Sequence, residues 1–303
     1  MSYSERRPAA VTIGTFDGVH VGHRALLRAT VEISRQHGLT PVALTWDRHP
    51  ALTLRPEAAP PLLTTTDRRL ELLQEDDAIE VAVLPFDRTL ARLAPEDFAT
   101  RFLSRQLNAR AVLVGEGWRF GHRARGDVSA LTELGRRLGF EVHPQPLLNA
   151  RGGPVSSTRV RTALASGDMD EAGALLGRRW DFDGTVIHGD KRGAGLGYPT
   201  ANLLLDPALV RPARGIYAGV AHRGGDTHPA AVSIGVNPQF GGDPARSPLR
   251  IEAYLLDFSG ELYGEVLRVE LQARLREERT FESVEQLVEQ MDLDVKATRA
   301  LTC

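Results

Sequence analysis

Over its first 150 residues the chain alternates short β-rich runs with stretches of helical periodicity, and near residue 181 that texture gives way to closely spaced strands. Helices between successive strands make a parallel sheet; strands without them make an antiparallel one. The sequence therefore predicts two domains, 1–180 and 181–303. In the first, "AAVTIGTF", "PVALTW", "IEVAVLPF" and "ARAVLVG" read as strands. Val21, Ala25, Leu26, Ala29 and Ile33 recur at helical spacing up to a stop at Gly38, and "RRLELLQ" and "PEDFATRFLSRQL" read as further helices. "SSTRVRTALASGDMDEAGALLGR" reads as two short helices broken at Ser166-Gly167-Asp168. In the second domain "DFDGTVIHG", "GIYAGVAHR", "PAAVSIGV", "RIEAYLLDF" and "EVLRVELQARL" suit a small antiparallel barrel. Ser283 and Gln286 form a capping box for a last helix, whose buried stripe is expected at Val284, Leu287, Val288, Met291 and Val295.

A formal net charge of −2 supplies no general pull toward nucleic acid or an anionic membrane, so partners are expected to be small molecules. The single cysteine, Cys303, makes no internal disulfide, and the polar start lacks the apolar core of a signal peptide. No apolar run approaches the roughly 20 residues of a membrane span. A cytoplasmic location is expected; the sequence does not decide an oligomeric state.

Open parallel sheets bind ligands at the carboxyl ends of their strands. There, "TIGTFDGVHVGHRALL" sets His20 and His23 three apart at a helix start, where peptide N–H groups favour an anion. Without the three or four ligands zinc needs, paired imidazoles suit hydrogen bonding to phosphate during transfer, and Gly22 leaves room for phosphate to approach the backbone. Some 130 residues on, "SSTRVR" offers the hydroxyls of Ser156, Ser157 and Thr158 and the forked donors of Arg159 and Arg161. Together the two strings resemble the nucleotidyltransferases that join a nucleoside monophosphate from ATP to a phosphorylated partner and expel pyrophosphate. A loop or helix pair of ordinary histidines, and a cap followed by solvated arginines, are the plain alternatives for each string alone.

In "GTVIHGDKRGAGLGYPTANL" a glycine-rich backbone can wrap phosphates, and Thr200 and Asn202, two apart, could share Mg²⁺. A glycine-rich turn leading into a strand is the competing reading. Glu252 in "RIEAYLLDF" faces away from Ile251 and Ala253, where it could take a proton from an attacking hydroxyl or merely face water.

The order of these strings, followed by "SIGVNPQFGG" and "RLREERTFESVEQLVEQMDLD", is similar to the prokaryotic bifunctional riboflavin kinase and FMN adenylyltransferase (FAD synthetase) family from about residue 10 to about 300. The resemblance implies a Rossmann-like α/β nucleotidyltransferase domain with a parallel sheet, then a mostly antiparallel small β-barrel riboflavin kinase domain with a C-terminal helix. It implies that the second domain moves the γ-phosphate of ATP to riboflavin and the first moves AMP from ATP to FMN, making FAD. Glu252 is then the base of the kinase and Thr200 and Asn202 hold Mg²⁺. His20 and His23 act on the phosphates of the second reaction. Nucleotide contacts fall on Gly14, Phe16, Asp17, Gly22 and the Ser156, Ser157, Thr158, Arg159, Arg161 group. In the barrel they fall on Gly189, Lys191, Gly193, Gly197, Pro199 and Thr200. Flavin contacts fall on Trp46, Arg48, Gly117, Trp118 and Phe120 in the first domain and on Arg276, Glu278 and Phe281 in the second.

The chain departs from the family pattern at Trp46 and Arg48 in "TWDRHP" and at Gly117 and Trp118 in "GEGWRFG", all at the ends of strands two and four. Ala194, Gly195 and Gln239 are milder departures in the barrel. The first group leaves open a kinase whose first domain is degenerate or altered in specificity; a non-catalytic flavin-binding regulator is a third reading.

Overall fold

Five strands, not four, form the sheet of the amino-terminal unit in the computed structural model, which describes residues 7–75, 78–189, 193–236 and 249–302. This unit, Met1–Ser157, runs β1 (Ala9–Ile13), α1 (Val21–His37), β2 (Thr40–Trp46), α2 (Pro50–Leu54), α3 (Thr66–Gln74), β3 (Glu80–Leu84), α4 (Arg88–Ala91), α5 (Pro95–Phe98) with a π-helical run at Ala99–Gln106, β4 (Ala109–Gly115), α6 (Val128–Leu138), β5 (Glu141–Gln145), β6 (Asn149–Ala150) and β7 (Gly153–Pro154). The main sheet has the order β3-β2-β1-β4-β5, every pair parallel. Strand order reverses at β1, so the crevice for a ligand opens beyond the ends of β1 and β4.

Helices on both sides explain why every residue of β1 is buried. Val11, Ile13, Leu44, Val112 and Val114 pack on one face with Phe98, Leu103 and Leu131. Ala10, Ala111 and Leu113 meet Leu26, Ala29 and Ile33 of α1 on the other. Each fully buried aliphatic side chain contributes about 1.5–3 kcal/mol. The fifth strand, β5, lies in "FEVHPQ", whose His143, Pro144 and Gln145 hide it from a reading of apolar runs. The segment expected as one α-helix over "PEDFATRFLSRQL" changes to π-helical hydrogen bonding at Ala99.

The second unit is Thr158–Cys303, and α7 (Ser157–Ser166) straddles the division. It continues with α8 (Met169–Leu176), β8 (Trp180–Ile187), β9 (Ala201–Leu205), β10 (Gly215–Arg223), β11 (Asp226–Val236), β12 (Leu249–Leu255), β13 (Val266–Arg276) and α9 (Val284–Thr302). The six strands close into an antiparallel barrel in the order β10-β11-β12-β9-β8-β13, with β13 returning to β10. The α7–α8 break falls at the expected Ser166-Gly167-Asp168, with Gly167 at φ +79° against the Arg274 side chain. The Ala213 N–H bonds Leu164 C=O at 3.0 Å, so these helices pack with the barrel.

Helix α9 corrects the expected apolar stripe. Val284 is 56% exposed, Leu287, Val288, Met291 and Val295 are half-buried, and the fully buried positions are polar: Asp294 and Thr298. The reason is an ion pair. Arg276, at the end of β13, donates from Nη2 to Asp294 Oδ2 at 2.7 Å and from Nε to Oδ1 at 3.0 Å, with both side chains nearly buried. Breaking a buried pair leaves an uncompensated charge, at a cost of about 3–5 kcal/mol. Asp294→Ala is therefore expected to lower unfolding stability by about that amount, read as a shift of the urea midpoint. An unchanged midpoint would show that α9 docks without the pair.

Candidate functional site

The histidine loop is built by an unusual backbone. After β1 the chain passes through Phe16 at φ +51°, Gly18 at φ +80° and Val19 at φ +40°. A β-branched residue in the left-handed region stores about 1–3 kcal/mol of strain, offset here by burial of both Phe16 and Val19. The turn aims His20 into the N-cap of α1, where its Nδ1 accepts from the His23 N–H at 3.2 Å. The two rings stack, 3.6 Å between centroids and 11° between planes. Gly22 permits the stack, since a Cβ there would lie 3.2 Å from the His20 ring. Burial, and then the His20 ring beside it, hold the His23 imidazole well below its ordinary pKa, so it is neutral at neutral pH. Among the described residues its buried Nδ1 has no hydrogen-bond partner.

Asp17 is structural as well as adjacent. Its Oδ1 accepts from the Leu63 and Thr64 N–H groups at 3.0 and 3.4 Å, and its carbonyl accepts from Ser157 Oγ at 2.9 Å. This brings the Ser156-Ser157 end of "SSTRVR" to the histidine loop. The unit division falls just after, so Thr158, Arg159 and Arg161 belong to the second unit, where Arg159 pairs with Glu171 of α8. Gly14 lies against the Phe16 ring.

At the ends of β2 and β4 the expected flavin-site residues fall into different environments. Trp46 and Phe120 are core residues, 8% and 7% exposed; Phe86 and Phe98 pack on the indole, and Phe98 also packs on Phe120. Trp118 is half-buried and stacks on Phe120 at 4.7 Å. Arg48 is exposed and donates to Asp47 Oδ2 at 3.2 Å, and Gly117 is exposed with open space around it. Burial opposes the charge on Asp47, but the Phe86 N–H and the Arg48 guanidinium hold its carboxyl below the usual range.

Arg69 of α3 escaped the sequence reading. It is buried, donates to the Trp46 carbonyl, and feels the charges of Asp17 and Asp47. Burial lowers its pKa while those two carboxylates raise it. The available signal was its place three and four residues before buried Leu72 and Leu73, on the apolar face of α3.

In the barrel, register does the assembling. Asn202 of β9 stands opposite Glu252 of β12, and Glu252 stands opposite Ser233 of β11. Ile234, Ile251 and Ala253 fill the interior, so this polar row lies on the outer wall. The glycine-rich loop covers its end: a Cβ on Gly189 would collide with the Asn202 amide, and one on Gly193 would collide with the Tyr198 carbonyl and come within 3.6 Å of Thr200 Oγ1. Thr200 is half-buried, Pro199 exposed, and Gly197 turns at φ +88°. Tyr198 donates to Asp292 of α9, which pushes its own pKa up to about 12. Glu252 accepts from Arg250 Nη2 at 2.8 Å, an arginine the sequence reading passed over. The Glu278 carboxylate lies where a Cβ on Gly235 would stand, opposite Arg250 in register. Arg276 is held by Asp294, with its guanidinium 5.8 Å from the Phe281 ring centroid. Lys191 and Gln239 lie outside the described residues. Among the described residues no cluster of three His, Cys, Asp or Glu could hold a metal, and no helix is long and apolar enough to cross a membrane.

Comparison with known proteins follows this division. Residues 2–159 match the family described as FAD synthetase, and residues 176–302 match riboflavin kinase. A bifunctional riboflavin kinase/FMN adenylyltransferase of Listeria monocytogenes is 35% identical over 295 residues, 96% of this chain and 91% of that one. Proteins of the same name from Pseudomonas fluorescens and Escherichia coli K12 are 36% and 33% identical, covering 98% and 99% of this chain and 94% of each relative. A solved structure from Streptococcus pneumoniae, described as a macrolide-efflux protein, superposes with TM-score 0.86 at 30% identity, covering 98% of this chain and 97% of its own.

Proposed function

Because the chain belongs to the bifunctional riboflavin kinase/FMN adenylyltransferase family, we infer that it phosphorylates riboflavin to FMN and adenylylates FMN to FAD, with ATP as donor in both steps. We place the first reaction in the barrel and the second in the parallel-sheet domain, with the functional division near residue 181, and the work in the cytoplasm.

In the kinase step Glu252 accepts the proton of the riboflavin 5′-hydroxyl as its oxygen attacks the γ-phosphorus. The observation that carries this reading is the row of Asn202 and Glu252, opposite each other beside a loop whose glycines leave room for Asn202 and Thr200. Thr200 and Asn202 are hard oxygen donors, too few for a protein-only cage, which suits Mg²⁺ held mainly by phosphates and water. Bound there, Mg²⁺ would neutralise charge on the β- and γ-phosphates. The glycine loop, with Lys191 and Pro199, orients the nucleotide.

In the adenylylation step His20 and His23 donate to phosphate oxygens as charge grows, the hydroxyls of Ser156 and Ser157 with Arg159 and Arg161 hold the triphosphate, and pyrophosphate leaves. Neutral His23 donates a hydrogen bond without needing a proton from solvent. Trp118, the exposed Gly117 and Arg48 form the edge where the FMN ring enters; Glu278 and Phe281 flank the riboflavin ring in the barrel.

The full chain, given riboflavin, ATP and Mg²⁺, is expected to accumulate FMN and then FAD with release of pyrophosphate, followed by chromatography of the flavins. FMN that is never converted would remove the second half of this reading and leave a kinase.

A further inference from the structure

We propose that Arg250 is a catalytic residue of the phosphoryl transfer: held on Glu252 before reaction, its guanidinium passes to the transferring phosphoryl oxygens as Glu252 takes up the proton. This rests on Glu252 as the base.

The geometry gives Arg250 this position. Residues two apart on a strand share a face, and Arg250 and Glu252 do so on β12, joined at 2.8 Å with about a quarter of each side chain exposed. Opposite Arg250 stands Gly235, whose missing side chain leaves the lane that the Glu278 carboxylate enters. Arg250 thus sits on the wall that carries Asn202, Glu252 and Ser233, with a carboxylate beside it and another over its cross-strand neighbour. An ion pair at this exposure contributes only about 0–1 kcal/mol to stability, so exchanging Glu252 for phosphate oxygens as its partner costs the fold little.

Charge explains the handover. Before reaction the Glu252 carboxylate holds the guanidinium through a charge-assisted hydrogen bond. Phosphate oxygens, carrying more charge and matching the forked donor, draw it. As the reaction proceeds, the bond from the riboflavin 5′-oxygen to the γ-phosphorus forms. The bond from that phosphorus to the bridging oxygen breaks, its electron pair leaving with ADP, and the hydroxyl proton moves to the Glu252 carboxylate. Protonated Glu252 is neutral and no longer holds Arg250, at the moment the new phosphate ester needs a counter-charge.

The test uses the full chain carrying Arg250→Ala, Arg250→Lys or Glu252→Gln, with both half-reactions assayed. Arg250→Ala is expected to lower kcat for riboflavin phosphorylation by roughly 10²-fold or more, as loss of one preorganised donor does, with KM for riboflavin within about threefold. FMN adenylylation stays at the parent rate and reports a folded chain. Added guanidinium ion restores kcat of Arg250→Ala at least about tenfold, which a merely structural arginine would not allow. Lysine keeps the charge but not the fork, so Arg250→Lys falls at least about tenfold in kcat and decides the matter if the alanine variant does not fold. Parent-like kcat in the folded alanine variant, or in the lysine variant, overturns the proposal, as does a loss confined to KM or the absence of rescue. Glu252→Gln separates the two ideas: its full activity would remove the base itself, whereas an inactive Glu252→Gln beside an unimpaired Arg250→Ala refutes Arg250 alone.

Discussion

Replacing Glu252 by glutamine lowers kcat for riboflavin phosphorylation by roughly 10²–10⁴-fold, the range lost with a general base, and leaves FMN adenylylation unchanged. Glutamine fills the same volume and can accept a hydrogen bond from Arg250, but it cannot take the hydroxyl proton. The side chain is about a quarter exposed on the outer barrel wall, and glutamine keeps its volume, so the change removes no core packing. The amide oxygen still meets Arg250, so the strand pairing of β9, β12 and β11 has no reason to shift. The readout is the initial rate of FMN formation with riboflavin saturating, beside FAD formation from supplied FMN. Loss of both activities would contradict the assignment of one reaction to each half, and retention of FMN formation would show that another group takes the proton.

His23→Ala has the second large effect. It is expected to lower FMN adenylylation by roughly 10²–10³-fold, the loss typical of one aimed donor, with the kinase unaffected. His23 is the cleaner choice, because alanine at His20 would also remove the N-cap of α1 at a cost of about 0.5–2 kcal/mol. The same substitution has a pH signature. The folded-state pKa of His23 lies well below its ordinary value, so the unfolded chain binds the proton more readily. The stability tied to neutral His23 is therefore complete above about pH 6.5 and is lost as pH falls toward the folded value. Urea unfolding of the parent at pH 7.5 and 5.5 should show that loss, and His23→Ala should show less of it. An equal acid sensitivity in the two proteins would place the titration elsewhere.

Much of the architecture was legible because each element carries its own period. β4 matched "ARAVLVG" from end to end, and the alternation in "EVLRVELQARL" became β13. The capping box at Ser283 also formed, with the Gln286 N–H donating to Ser283 Oγ at 3.3 Å, although the Gln286 side chain accepts from Glu282 rather than Ser283. Strand β5 was not legible, since an edge strand bearing His143 and Gln145 has no apolar alternation to reveal it. Of the site, the histidine pair and the Pro-Thr-Ala-Asn string stood out as chemistry without an obvious packing use. Trp46 stood out too, but its ring is enclosed by Phe86 and Phe98, a neighbourhood that no local string encodes.

Amino-acid order alone determined the parallel-then-antiparallel architecture, the family and the groups able to meet phosphate, because backbone periodicity, glycine freedom and side-chain chemistry are properties of a few adjacent residues. Folding in three dimensions decided which charges became neighbours: Arg276 with Asp294, Arg69 with Asp17 and Asp47, and Arg250 on Glu252 in a row with Asn202. Those pairings depend on cross-strand register and on removal from water, and both are settled only when segments distant along the chain close on one another.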